Sequence, residues 1–240
     1  MNELVPPVYS RLLVNHNKMT GNTESKLVHS LKCRIREASK SFRSARKERH
    51  YLKTNDVDYC SFSYKQFSLD EIGAQRNAKI RLEHMGLDGP QFVGRSVLDL
   101  GCHVGAMLFQ IANYGITKGV GIEFDEEKVE IAREIAKLTE APLLFQAADL
   151  DTLDAEQIGE FDIVLALSIE KHVVSQPRLI SLLGKITADL LIFEGNAKCC
   201  IGDVCEQLFE NGFRRIEWRG YCVDDVREEN NRRPILLSWK

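Results

Sequence analysis

The stretch VLDLGCHVGAMLFQIA, residues 97–112, decides how the whole chain reads. Ser96-Val-Leu-Asp-Leu100 is a short apolar run with one acid, Asp99, near its end, and it stops at Gly101. Gly105 follows four residues later, and a helical pattern begins at Ala106 and runs to Tyr114, where Gly115 stops it. A strand, a glycine turn and a helix in that order make the first half of a β-α-β unit, and the rest of the chain repeats the alternation. A second strand is expected over Gly119–Phe124, with Asp125 at the N-cap of the helix EEKVEIAREIAKL. In that helix Ile131/Ala132 and Ile135/Ala136 recur at helical spacing. Further strands are expected at 142–146, 161–167 and 189–194, with a helix at 176–186 between the last two. Phe161–Leu167 is almost continuously apolar, as befits a central strand covered on both faces.

The end of the chain has a different layout. Cys199–Phe213 reads as a helix, and the strands 214–219 and 234–239 follow with no helix between them. A parallel return needs a crossover, so these last two strands should be antiparallel neighbours. The expected fold is α/β: a Rossmann-like, seven-stranded, mostly parallel sheet with helices on both faces and a C-terminal antiparallel hairpin. The texture breaks near residue 94. Two units are therefore expected, a basic, helical extension or lid over 1–93 and the sheet domain over 94–240. Within the extension, 26–53 reads as one or two exposed helices and 68–86 as another.

Composition limits the alternatives. The chain has 240 residues, is 44% hydrophobic and 28% charged, and can build a sizeable core. No apolar run approaches the roughly 20 residues that cross a bilayer. The opening MNELVPPVYSRLLV lacks a basic start followed by an apolar stretch, so a cytoplasmic protein without a secretory leader is expected. The 7 cysteines show neither C-x-x-C pairs nor zinc-type spacing, which points to reduced thiols and no metal. The net charge of −3 divides unevenly: residues 1–53 hold 12 Lys/Arg against 4 Asp/Glu, or +8, leaving −11 for the rest. That split fits an arm meeting an acidic partner, or equally a helix lying on its own acidic body.

Ligands of open α/β sheets bind over the carboxyl ends of the strands. Asp99, Glu123 and Asp149 stand at or just beyond three successive strand ends, and a carboxylate in Glu123's place can accept the hydroxyls of a ribose. With these residues the chain resembles the class I S-adenosylmethionine-dependent methyltransferases over residues 94–240. The resemblance implies S-adenosylmethionine as cofactor. Asp99, Gly101, Cys102, His103 and Gly105 would pass beside its amino-acid part, with Glu123 on the ribose and Phe124 flanking the adenine. Asp149 and Leu150 would contact the adenine edge, Ser168 the donor end, and Arg76 the carboxylate. The family's loop commonly reads D-x-G-x-G-x-G, and His103 replaces its middle glycine here. NAD is the rival, but residues 101–106, GCHVGA, lack the second glycine that a pyrophosphate requires.

Methyl transfer needs a positioned nucleophile, and a base only where the acceptor is a hydroxyl or a protonated amine. Glu170 and His172, just after the fourth strand, are the catalytic candidates; their plainer role is to cap the strand end in solvent. Glu194 is a weaker candidate, and its plainer reading is a solvated loop carboxylate. Arg76 reads alternatively as a surface arginine on a helix. The expected reaction is methyl transfer to an oxygen or nitrogen of a small molecule. The alternatives are an RNA methyltransferase using the basic residues 26–53, with Tyr51, Tyr59 and Phe62 nearby for stacking, or a non-catalytic cofactor-binding partner subunit.

Overall fold

The computed structural model describes residues 21–39, 41–43, 49–51, 59–69, 74–226 and 228–240. Seven strands form the main sheet: β1 (Ser96–Leu100), β2 (Lys118–Glu123), β3 (Leu143–Ala147), β4 (Phe161–Leu167), β5 (Thr187–Glu194), β6 (Arg215–Tyr221) and β7 (Pro234–Trp239). Their order is β6-β7-β5-β4-β1-β2-β3, and β7 runs antiparallel to both neighbours while the other pairs are parallel. The strand order reverses between β1 and β4, so a crevice opens over the carboxyl ends of those two strands.

Among the described residues, seven α-helices accompany the sheet: α1 (Gly21–Ser39), α2 (Ala78–His84), α3 (Ala106–Ala112), α4 (Glu126–Thr139), α5 (Ala155–Ile158), α6 (Gln176–Ile186) and α7 (Ile201–Glu210). Their starts follow local chemistry. Asp125 accepts from the Glu127 amide at the head of α4, and Ser175 accepts from the Arg178 amide at the head of α6. Strand alternation divides the core between two faces. Val97, Ile163, Leu165 and Ile192 pack toward α1, α2, α3 and α4. Leu98, Leu100, Val164 and Phe193 pack toward α6 and α7. By the same alternation Asp99, Glu123 and Glu194, two residues from Val97, Gly121 and Ile192, share the first face.

The described residues before 94 are less helical than the region's polar texture suggests. After α1 the described chain forms an antiparallel pair, Ser41–Arg43 with Arg49–Tyr51, in place of a second helix. The stretch 68–86 is not one helix either: Phe67–Ser68 and Arg76–Asn77 are extended, and α2 begins only at Ala78. Arg76–Asn77 pairs with Cys60–Ser61, and Asn77 then caps α2 by accepting from the Ile80 amide at 3.0 Å. Phe62, Phe67, Leu82 and Phe92 share the core that includes Phe109 of α3. The helix α1 lies against α4, and Arg34 grips Glu134 there with two bonds of 2.7 and 2.8 Å. Among the described residues, no helix is long and apolar enough to cross a membrane.

Candidate active site

The glycine turn between β1 and α3 forms one wall of the crevice. Gly101 and Gly105 have φ of +74° and +83°, where a side chain is strained. The space a Cβ would take is filled by protein rather than left open to a ligand: Ile169 lies 2.6 Å from it at Gly101 and Phe145 2.6 Å at Gly105. The loop after β1 is thus packed against the loop after β4 on one side and against β3 on the other.

The loop's amides are mostly committed. Gly101 and Cys102 donate to Ile122 O at 2.8 and 3.1 Å, and Gly105 donates to Cys102 O at 2.8 Å. His103 donates its backbone N–H to Glu123 Oε2 at 2.9 Å. Four of the five amides from 101 to 105 therefore have acceptors within the protein. A phosphate cradle needs such amides free.

Glu123 ends β2 and is 9% exposed. Its Oε1 accepts from Phe124 and Asp125 amides at 2.9 and 3.1 Å, and its Oε2 from His103. A carboxylate has about four acceptor positions, so one remains on Oε2. Asp99 is buried on the same face. Burial pushes its carboxyl up to about 7, with Arg81's charge opposing and Glu123's adding. Asp99 and Glu123 thus stand on one face at the ends of neighbouring strands. Asp149 stands in the turn after β3, where its Oδ1 accepts from the Asp151 amide at 2.9 Å. Phe124 and Leu150 are half-buried beyond the ends of β2 and β3. Cys102 is buried beneath the loop, its thiol pushed well up by burial.

Ser168 follows β4 with φ +59°, and its hydroxyl lies 2.5 Å from Glu194 Oε1. Glu170 and His172 diverge from one another. Glu170 is half-buried and accepts from the Asn196 amide, while its Oε2 is buried without a hydrogen-bond partner. His172 is exposed.

A buried ionic cluster at the end of β5 was missed in the sequence. Glu194 is fully buried, not a solvated carboxylate. It takes Arg76 at 3.1 and 3.3 Å and Arg81 at 2.9 Å. Burial alone would raise its carboxyl, but the Arg81 and Arg76 charges prevail and hold it well below the usual carboxylate range. Arg76 is 1% exposed and sits on a short strand, not a helix surface. It also donates to Asp224 at 2.8 and 3.2 Å and to Cys222 Sγ at 2.6 Å. The signal for the cluster, arginine at 76 and 81 and acids at 194, 224 and 225, is present in the sequence but spread over 150 residues. No group of three or more His, Cys, Asp or Glu among the described residues is placed to hold a metal ion.

The sheet order and the terminal antiparallel strand make this a Rossmann-like α/β fold. Residues 97–190 match the family described as "Methyltransferase domain". The chain is similar to a ubiquinone biosynthesis O-methyltransferase of Vibrio parahaemolyticus, 29% identical over 94 residues, or 39% of this chain and 40% of that one. It is also similar to a ribosomal-protein methyltransferase of Thermotoga maritima, 33% identical over 81 residues, or 33% of this chain and 30% of the other. The chain thus spans less than half the length of these curated relatives. Among solved structures, the magnesium protoporphyrin IX methyltransferase of Synechocystis with bound SAM has a TM-score of 0.54 and 23% identity, covering 68% of this chain and 77% of that one. The bifunctional kinase-methyltransferase WbdD has a TM-score of 0.55 and 23% identity, covering 69% and 40%. These likenesses establish the fold.

Proposed function

We propose that the chain binds S-adenosylmethionine over β1, β2 and β4 and transfers its methyl group to an oxygen or nitrogen of a small molecule. In this reading residues 94–240 are the binding unit and those before 94 its basic cover. The observation that carries it is the crevice's polar make-up: Asp99 and Glu123, buried on one face, beside a loop in which four of five amides already have acceptors. Those acids favour a cationic, hydroxyl-bearing ligand, and the committed amides disfavour a pyrophosphate.

When bound, the donor supplies an activated methyl group on a sulfonium, displaced in line by the acceptor's lone pair. The chain's own residues have the task of placement. The open position on Glu123 suits a ribose hydroxyl, held from behind by three backbone amides. Asp99 faces the place expected for the donor's ammonium, whose arrival would favour the ionised carboxylate. Arg76 is committed to Glu194 and Asp224; Arg81 also bonds Glu194 through Nε, but its buried Nη2 makes no hydrogen bond and its charge reaches Asp99, so it is the better candidate for the donor's carboxylate. In this reading Glu170, held by the Asn196 amide, takes a proton from the acceptor, and the exposed His172 is the weaker candidate.

Two features disfavour RNA as the acceptor. The crevice is lined with acids, and on α1 Arg34 is bound to Glu134. The test has two stages. Calorimetry should first show association of S-adenosylhomocysteine with the wild-type protein. Methyl-labelled donor is then incubated with cell extract separated into small-molecule and RNA fractions. Label is expected in the former; label confined to RNA would overturn the acceptor assignment, and the absence of binding would overturn the whole reading.

A further inference from the structure

His103 stands where the resembled loop carries glycine, and its backbone keeps a glycine-like conformation, with φ +55°. A side chain is strained there, although histidine tolerates it better than most. The ring is not turned out to solvent. His103 is 6% exposed, and its imidazole packs on Tyr59 with centroids 4.9 Å apart and planes tilted by 38°. Burial first, and then the charge of Lys128, keep the imidazole well below its usual range, so a neutral ring makes this contact. The same residue's N–H is fixed to Glu123. His103 therefore touches the proposed ribose acid through its backbone and the preceding segment through its side chain.

Tyr59 begins a short run that lies along the glycine loop and α3. Its N–H donates to Ser39 Oγ at 3.3 Å, and its carbonyl accepts from the Arg76 amide at 3.0 Å. Further along, Phe62 stacks on Phe109 at 5.2 Å, and Ser63 O accepts from Asn113 Nδ2 at 2.8 Å. One end of the run is thus anchored on α3, and the other is paired with Arg76–Asn77 and meets the cofactor loop through the Tyr59–His103 ring contact.

We propose that Tyr59 and His103 form a latch holding residues 59–64 over the glycine loop, so that donor affinity depends on a contact lying outside the donor's own ligands. The inference rests on the reading of the crevice as an S-adenosylmethionine site. His103 acts in it as a positioning residue, through Tyr59 on one side and Glu123 on the other. The histidine at 103 then has a reason: it accepts backbone strain in exchange for a ring that a glycine lacks.

The test compares His103→Asn, which tolerates positive φ but has no ring, with Tyr59→Ala and the ring-preserving Tyr59→Phe. Hydrogen exchange is followed at residues 59–64 and at β4 and β5, in free protein and with S-adenosylhomocysteine, and affinity is measured by calorimetry. The first two variants should speed exchange at 59–64, leave β4 and β5 protected, and weaken binding about three- to tenfold, the range expected of an aromatic pair. Tyr59→Phe keeps the ring and should keep exchange at 59–64 at the wild-type rate. Unchanged exchange at 59–64, or unchanged affinity in Tyr59→Ala, would overturn the latch. Loss of protection throughout the sheet would replace it with ordinary core packing. If the wild type bound no S-adenosylhomocysteine, the cofactor reading would fail, while exchange in the free protein would still decide whether the contact holds the segment.

Discussion

Glu194→Gln is the most informative perturbation of this fold. The wild-type carboxylate is 0% exposed and meets Arg76, Arg81 and Ser168 directly, with Arg233 at 3.6 Å. Removing its charge does not affect the three cations equally. Arg76 keeps Asp224 at 2.8 Å, and Arg233 keeps Asp225 at 3.9 Å. Arg81 loses the acid to which it donates at 2.9 Å, while remaining 4% exposed. Breaking a buried pair from one side costs about 3–5 kcal/mol, because the surviving charge stays desolvated. In a domain of this size each kcal/mol moves the midpoint by about 2–4 °C, so melting should fall by about 6–20 °C. The assay is calorimetric melting together with urea unfolding at constant m-value. Glu194's carboxyl is lowered on folding, so its contribution is present above the unfolded titration range and disappears as pH falls. The wild type's advantage over the variant should hold from about pH 8 to 5 and shrink below about pH 4. A double variant, Glu194→Leu with Arg81→Met, should recover part of the loss, since it leaves no orphaned charge at Arg81. A loss under about 1 kcal/mol for Glu194→Gln, or an advantage that grows in acid, would refute this account of the cluster.

Asp99 should show the opposite dependence on pH. Its carboxyl is raised to about 7, chiefly by burial, so the stability it confers is present in acid and lost as pH rises from about 4 to 7. Asp99→Asn should flatten that decline, seen as a smaller difference in melting between pH 5 and pH 8 than in the wild type. The glycines can be separated by a matched pair of substitutions. Gly105→Ala places a Cβ 2.6 Å from Phe145 at φ +83°, and should cost about 2–4 kcal/mol in urea unfolding. Gly94→Ala has φ +71° but nothing within 4 Å, and should cost only the backbone strain of about 1–2 kcal/mol. Equal losses in the two would show that packing beneath the loop is unimportant.

The parts of the site legible in the sequence are those encoded by neighbouring residues. The apolar run ending at Leu100, the glycine turn and the cap at Asp125 each act within a few residues, so their meaning survives without the fold. Glu123 was readable for the same reason: strand alternation and its place before a capped helix put it at the crevice. The reading weakened where short polar segments pair with distant partners. Arg76–Asn77 is extended because Cys60–Ser61 pairs with it, and nothing at positions 68–86 alone announces that strand.

By itself the sequence determined the order of the main sheet's seven strands, the antiparallel ending and the row of acids at strand ends, because periodicity and caps are local. Only tertiary structure decided that Glu194 is buried between arginines 118 and 113 residues away. It alone also decided that Arg76 is committed to that cluster, that Glu170 turns inward while His172 faces solvent, and that His103 lies under Tyr59. Whether a charge is solvated or desolvated depends on what the rest of the chain packs around it, and no short window of residues contains that information.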